Sequence, residues 1–182
     1  MLITIGARPD HGFDEPLGLL SDCHRRIERF LDTLVLTTAA AAGGPLVQQQ
    51  RADIDAALTY FRTAAPKHTA DEEESLFPRL RASHDAAAAD ALATMARLER
   101  DHDVADEHHR AADALLRQWL AADRLDAASL SALRGHLTAL QAIYAAHIAI
   151  EDRELFPAAG RVLTAEALAA VGREMADRRR LR

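Results

Sequence analysis

Two stretches of this 182-residue chain carry side chains able to do chemistry: His68-Thr-Ala-Asp-Glu72-Glu-Glu-Ser-Leu76-Phe-Pro78 and His147-Ile-Ala-Ile-Glu151-Asp-Arg-Glu-Leu155-Phe-Pro157. Each matched position is displaced by the same 79 residues. On a helix, positions i and i+4 lie about 40° apart around the axis and about 6 Å along it, so each His and its Glu project as neighbours from one face. Imidazole nitrogen and carboxylate oxygen on facing helices form a donor set suited to non-haem iron, with manganese and zinc as competitors.

The elements that must position these pairs are helical. The apolar share is 49%, aromatic residues make up 4%, and Gly and Pro cluster at a few points, a composition that favours helix over sheet. A chain of this length is read as one domain with a proper core. An extended arm is expected over 1–14, with Asp14 as a cap and Pro16 in the first helical turn. The first helix then runs from about Glu15 to Ala42 on the seam Leu17, Leu20, His24, Ile27, Leu31, Leu34. The second runs from about Leu46 to Leu80 on Ile54, Leu58, Phe61, Ala65, His68, Glu72, with a kink or break at Pro66. After a turn at Ser83-His84-Asp85, the third runs from Ala86 to Ala122 on Met95, Leu98, His102, Ala105, His109, Ala112, Leu116, Trp119. The fourth runs from Ala127 to Phe156 on Leu133, Leu137, Leu140, Tyr144, His147, Glu151. Thr164 caps a short fifth helix to about Asp177, with Leu168, Val171 and Met175 inward and Glu166 and Glu174 outward. The expected fold is all-α: an antiparallel up-down-up-down four-helix bundle over 15–160, preceded by the arm and followed over 161–182 by the short helix and a basic tail.

In such a bundle the start of the first helix lies beside the ends of the second and fourth. At 1.5 Å per residue His24, His68 and His147 all fall roughly 14–15 Å in from that end, and His102 reaches the same level if its helix starts near Asp90. All four occupy seam positions. Each helix also carries an acid four residues after its His, but only Glu72 and Glu151 fall on a seam, so Glu28 and Asp106 are expected to flank the core. The candidate metal ligands are therefore His24, His68, Glu72, His102, His147 and Glu151. Two unpaired carboxylates in an apolar bundle are costly, and a pair of cations removes that cost.

These residues resemble the hemerythrin-like family, also called the HHE cation-binding domain, from about Glu15 to Pro157. The resemblance is carried by the doubled His-x3-Glu-x3-Leu-Phe-Pro, by Asp22-Cys-His24-Arg-Arg-Ile27 in the first helix and by Glu99-Arg-Asp-His102 in the third. It implies a bundle holding two iron ions, bridged by the two Glu and by an oxo or hydroxo group. Oxygen-carrying members have a second His on the third helix four residues after the first, where this chain has Asp106. The resemblance thus implies four imidazoles, about two open coordination positions, and a sensing, iron-handling or NO- and peroxide-responding member. Its small-molecule partner is O2 or a relative, and a redox enzyme acting on peroxide or nitric oxide, or repairing iron centres, is the alternative.

Around this set, Tyr144 lies one turn before His147 and is read either as a donor or ligand at the centre or as a core tyrosine bonded elsewhere. His109 lies one heptad past His102, about 10.5 Å along the axis, too far to bind the same ions, and is read as a core histidine beside the centre. Cys23 is read as a small buried hydrophobe rather than a redox group. His11 is a remote candidate for a fifth ligand, and His84, His108 and His136 are read as surface residues. The terminal Arg178-Arg-Arg-Leu-Arg182 is read as a solvated tail.

Other classes find little support. Net charge is −6, which gives no reason to expect nucleic acid. No apolar run reaches 18 residues and no leader pattern opens the chain, so no membrane segment is expected. A single Cys suits a reducing cytoplasm. There is no Ser-His-Asp or Cys-His grouping, phosphate-cradling Gly loop or paired-Cys zinc motif. A ferritin-like oxidase needs Glu-x2-His on two helices, and only Glu99-x2-His102 fits.

Overall fold

The computed structural model describes residues 10–83 and 89–180, with side chains described outside 84–92. Among the described residues the chain is helical and has no strand: α1 Pro16–Ala41, α2 Gln48–Thr63, α3 Ala65–Ala70, α4 Phe77–Ala82, α5 Ala89–Ala122, α6 Ala127–Ile150, α7 Phe156–Val162 and α8 Ala165–Arg179. The all-α expectation holds. Residues 1–9 of the arm, His84 and the expected start of the third helix at Ala86 lie outside the described residues.

Four long arms make a closed ring of contacts, α1 against α2 and α6, and α5 against α6 and α2, while α8 packs across α1 and α3. The expected seams are the faces that become buried. Leu20, Ile27, Leu31 and Leu34 of α1, Leu98, Ala105 and Leu116 of α5, and Leu133, Leu137 and Leu140 of α6 are all within 3% of complete burial. They form two apolar clusters. One gathers Leu20, Leu76, Phe77, Leu98, Leu155, Val171 and Met175. The other gathers Leu31, Ile54, Leu58, Leu116, Trp119, Leu137 and Leu140. Along each of the four arms, the candidate histidine falls in sequence between a residue of the first cluster and one of the second.

The helix boundaries show how local chemistry departs from the simplest reading. The second arm breaks at Ala64, and Pro66 sits in the first turn of α3, where its missing N–H costs nothing. The second helix was expected to stay α-helical to about Leu80 and the fourth to Phe156. Instead Asp71–Leu76 and Glu151–Leu155 are π-helical, and Pro78 and Pro157 open new α-helical turns. The fourth arm therefore runs on to Val162. Asp14 does not cap α1: the boundary residue is Glu15, with no side-chain cap, and its amide bonds to Gly12 O at 3.1 Å. Asp126 and Thr164 do cap α6 and α8, accepting from Ser129 N at 2.8 Å and Ala167 N at 3.2 Å.

The loops away from the Leu-Phe-Pro motifs are tied together. Gly43, at φ 78°, leaves α1 in a conformation that costs other residues steric strain, and its carbonyl accepts from Leu125 N at 2.9 Å. The single Trp119 is fully buried there and donates to Gly44 O at 2.8 Å. At the other end Gly172 lets the backbone of Phe13 cross α8: an added Cβ would stand 1.9 Å from Phe13 O.

In the basic C-terminal run Arg180 is exposed, as a solvated tail would be, and 181–182 lie outside the described residues, but the two arginines before it are not free in solvent. Arg178 and Arg179 lie in α8 and reach Asp71, which has no exposed surface, at 2.9 and 2.6 Å. Arg178 also meets Glu74 at 3.1 Å and Ser75 Oγ at 2.9 Å. Glu174 is half-buried rather than outward and pairs with Arg79 at 2.7 Å. Composition could not supply these partners, because Asp71 acquires its need for a cation only when folding buries it.

Candidate metal centre

The six side chains His24, His68, Glu72, His102, His147 and Glu151 come from four arms and meet in one place. They form two overlapping donor groups, His24-His68-Glu72-Glu151 and Glu72-His102-His147-Glu151, with the donor atoms of each group within 4.8 Å of one another. Both groups share Glu72 and Glu151. Glu72 Oε1 lies 3.3 Å from His68 Nε2 while its Oε2 lies 3.3 Å from His102 Nε2, so the carboxylate faces one group with each oxygen. Glu151 Oε2 lies 3.1 Å from both His24 Nε2 and His147 Nε2. The Nε2 atoms of His102 and His147 stand 3.1 Å apart.

Whether these groups fit a pair of cations is answered by their hydrogen bonding. Both oxygens of Glu72, both of Glu151 and Nε2 of His24 are buried and make no hydrogen bond. A buried carboxylate without partners is rare in a folded protein. These donors approach one another at ion-pair distance but point at shared volumes instead of along hydrogen-bond directions. Four imidazole nitrogens and two carboxylates converging in this way match the donor chemistry of iron, manganese or zinc.

The electrostatics agree. Burial alone would push Glu72 up, but His68, His102 and His24 outweigh it and hold its carboxyl well below the ordinary range. Burial opposes charge on His24, yet Asp152, Glu151 and Glu72 raise it well above the usual imidazole value. His102 is likewise driven up to about 9, against burial, by Glu72 and Glu73. His68 is the reverse case, pulled down to about 4 chiefly by burial, and its Nδ1 has no partner.

Of three acids that seam reasoning passed over, Asp152 and Glu73 hydrogen-bond to imidazoles and Asp101 stands at ion-pair distance from one. Asp152 Oδ1 lies 3.1 Å from His24 Nδ1 and accepts from Ser21 Oγ at 2.7 Å. Glu73 Oε1 lies 2.7 Å from His102 Nδ1. Asp101 Oδ2 lies 3.7 Å from His147 Nδ1. A carboxylate behind the second ring nitrogen fixes tautomer and ring direction and makes the imidazole a better donor. Each of these acids is the immediate sequence neighbour of a candidate ligand, which was the available signal.

The remaining expectations divide. Glu28 and Asp106 are exposed, as their off-seam positions imply, and Asp106 pairs with Arg110 at 2.7 Å. Tyr144 does not point its hydroxyl at the donors but bonds to His109 Nε2 at 2.9 Å, and the His109 ring lies against Phe61 with centroids 4.4 Å apart. His11 is not among the donors: its ring meets Asp22 at 3.0 Å. Cys23 is buried and unpaired, with Arg26 Nη2 donating to its sulfur at 3.1 Å. His108 and His136 are half-buried, not free surface residues, with their Nδ1 atoms 2.9 Å apart. Among the described residues no helix is long and apolar enough to cross a membrane.

Comparison with known proteins agrees with the geometry. A Haemophilus influenzae protein, described only as an uncharacterized protein, is 28% identical over 172 residues that cover 93% of each chain. The hemerythrin HHE cation-binding domain matches residues 15–171, a span that contains all six donors and half of α8. This chain belongs to the hemerythrin HHE cation-binding family.

Proposed function

We propose that this chain is a non-haem di-iron protein that binds O2 or a related small molecule, for sensing, storage or iron handling. The observation that carries this reading is the pair of donor groups sharing Glu72 and Glu151, whose four oxygens are buried without hydrogen bonds. When bound, the ions supply a Lewis-acidic and redox-capable centre for a small molecule.

The chain's own residues do the rest. Glu72 and Glu151, common to both donor groups, would hold the two ions and balance their charge. His24, His68, His102 and His147 would complete two nitrogen-oxygen sets, with Asp152 and Glu73 holding the His24 and His102 rings in direction. Leu76, Leu155 and Phe156, all close to full burial, keep bulk water from the Leu-Phe-Pro side. The lone, buried Cys23 fits a reducing cytoplasm.

The test is reconstitution with ferrous iron, with air excluded and then admitted. About two irons per chain and a visible absorption band that depends on air are expected from a paired site. A chain that retains no iron under either condition ends this reading.

A second reading, a redox enzyme acting on peroxide or nitric oxide or repairing iron centres, is favoured by one observation. Asp106, which stands where oxygen carriers of this type have a further His, is exposed and engaged by Arg110, so it would add no donor to the centre. Turnover of peroxide or nitric oxide that vanishes in Glu72→Ala or Glu151→Ala, with helicity intact, would establish it.

A further inference from the structure

The space around the six donors is divided in two. On the inside is a small hollow of about 20 Å3, lined by the four candidate histidines together with Ile27, Ala65, Thr69, Tyr144 and Ile148. A water-sized molecule needs about 10–15 Å3, so the hollow holds no more than a single ion or small molecule. On the outside is an open cleft of about 260 Å3 that runs past Phe61, Asp106 and His109. Ala65, Thr69, His102 and Tyr144 line both spaces and are the wall between them.

The four wall residues are not equivalent. Ala65 has one side-chain carbon and follows the break at Ala64, so it fills little of the wall. Thr69 is short. His102 is held from behind by Glu73 at 2.7 Å and faces Glu72 at 3.3 Å. Tyr144 is the remaining long side chain, and it holds no ion. Its hydroxyl is tethered by the 2.9 Å bond to His109 Nε2. Burial pulls His109 down to about 4 and pushes the Tyr144 phenol up, so both are neutral near pH 7, and with the ring proton on Nδ1 the phenol donates to Nε2. A neutral hydrogen bond of this kind contributes little net stability, so it can open and close without unfolding the bundle.

We infer that Tyr144, latched by His109, is the door between the open cleft and the hollow at the metal donors, and that it sets the size of molecule admitted. Diatomic and short linear molecules enter, and planar rings are excluded while the latch holds. The inference rests on the proposed metal centre and names which guests reach it.

The experiment uses the iron-loaded full chain, with iron per chain counted first. Azide and imidazole are the probes, and their association is followed by stopped-flow absorbance in the parent, Tyr144→Phe, His109→Leu, the double variant and Tyr144→Ala. Tyr144→Phe keeps the ring and removes only the latch, so azide should associate about fivefold faster, the effect of losing roughly one hydrogen bond. His109→Leu should do the same, and the double variant should go no faster than either single one. Tyr144→Ala should admit imidazole, which the parent excludes. In the metal-free parent, the 15N shifts of His109 should report Nε2 as an acceptor, and Tyr144→Phe should abolish that signature. Iron retained with unchanged azide rates in both latch variants overturns the door alone, as does a parent that takes up imidazole as readily as azide. A parent holding no iron removes the centre and the door with it.

Discussion

Arg179, in the last turn of α8, places Nη2 2.6 Å from Oδ2 of Asp71, a carboxylate with no exposed surface that immediately precedes Glu72. Arg178 engages the other oxygen at 2.9 Å. Burial pushes the Asp71 carboxyl up, and the two guanidiniums pull it back without cancelling the rise. The C-terminal helix is thus fastened to the π-helical turn that carries one of the two shared carboxylates. Replacing both Arg178 and Arg179 with Ala strands the charge, and breaking a buried pair costs about 3–5 kcal/mol, here toward the lower end because both arginines keep a solvent edge. Urea unfolding followed by circular dichroism measures it. Asp71→Asn should cost less, and equal stability of the double variant and the parent would refute the clamp.

Glu72 and Glu151 face both donor groups, so either one is needed for two ions to sit side by side. In Glu72→Gln the volume is kept and the charge lost. Bound iron should fall from about two per chain to one or fewer, while the helical signal in circular dichroism stays at the parental level. Elemental analysis of the reconstituted variant decides the point, and two tightly held irons would contradict it.

The acids behind the rings should be felt at the metal although they do not touch it. Asp152→Ala and Glu73→Ala release His24 and His102, and loss of such partners weakens metal binding about 10- to 100-fold. Competition with a chelator of known affinity gives the ratio. His68 has no acid behind its Nδ1, so of the four imidazoles it is the one for which no such substitution exists to be made.

His109 predicts a pH dependence whose sign follows from its burial. Its folded value lies near 4, below the ordinary imidazole value of 6.5, so between these limits the unfolded chain binds the extra proton. Stability from this source is complete above pH 6.5 and declines as pH falls toward 4, by up to about 3 kcal/mol. The difference in unfolding free energy between the metal-free parent and His109→Leu should therefore shift against the parent on going from pH 7 to pH 4.5. A difference that stays constant over that interval would count against a buried, neutral His109.

The convergence of the six candidate ligands was legible because each lies on an apolar seam, and a seam position can point only at the bundle axis. His24, His68 and His147 needed no more than helical period and chain length to be placed at one level, whereas the level of His102 depended on where its helix begins. The π-helical turns at Asp71–Leu76 and Glu151–Leu155 were not legible, since the repeated motif reads as ordinary helix and only tertiary packing selects the wider turn. Asp152, Glu73 and Asp101 were missed for a related reason. They lie one position off the seam, and a rule that counts faces assigns them to solvent. Arg178 and Arg179 were misread because a terminal run of arginines has no distinguishing pattern until its partner is known.

Trp119 is the single tryptophan of the chain and is fully buried beside the loop that follows α1. Its emission therefore reports on one defined corner of the protein, where the indole N–H is bonded to Gly44 O. A variant that goes pale in the visible but keeps the parental emission maximum has lost its ions with its scaffold standing. One whose emission moves to the red has come apart. The chain thus carries an optical control that separates empty from unfolded.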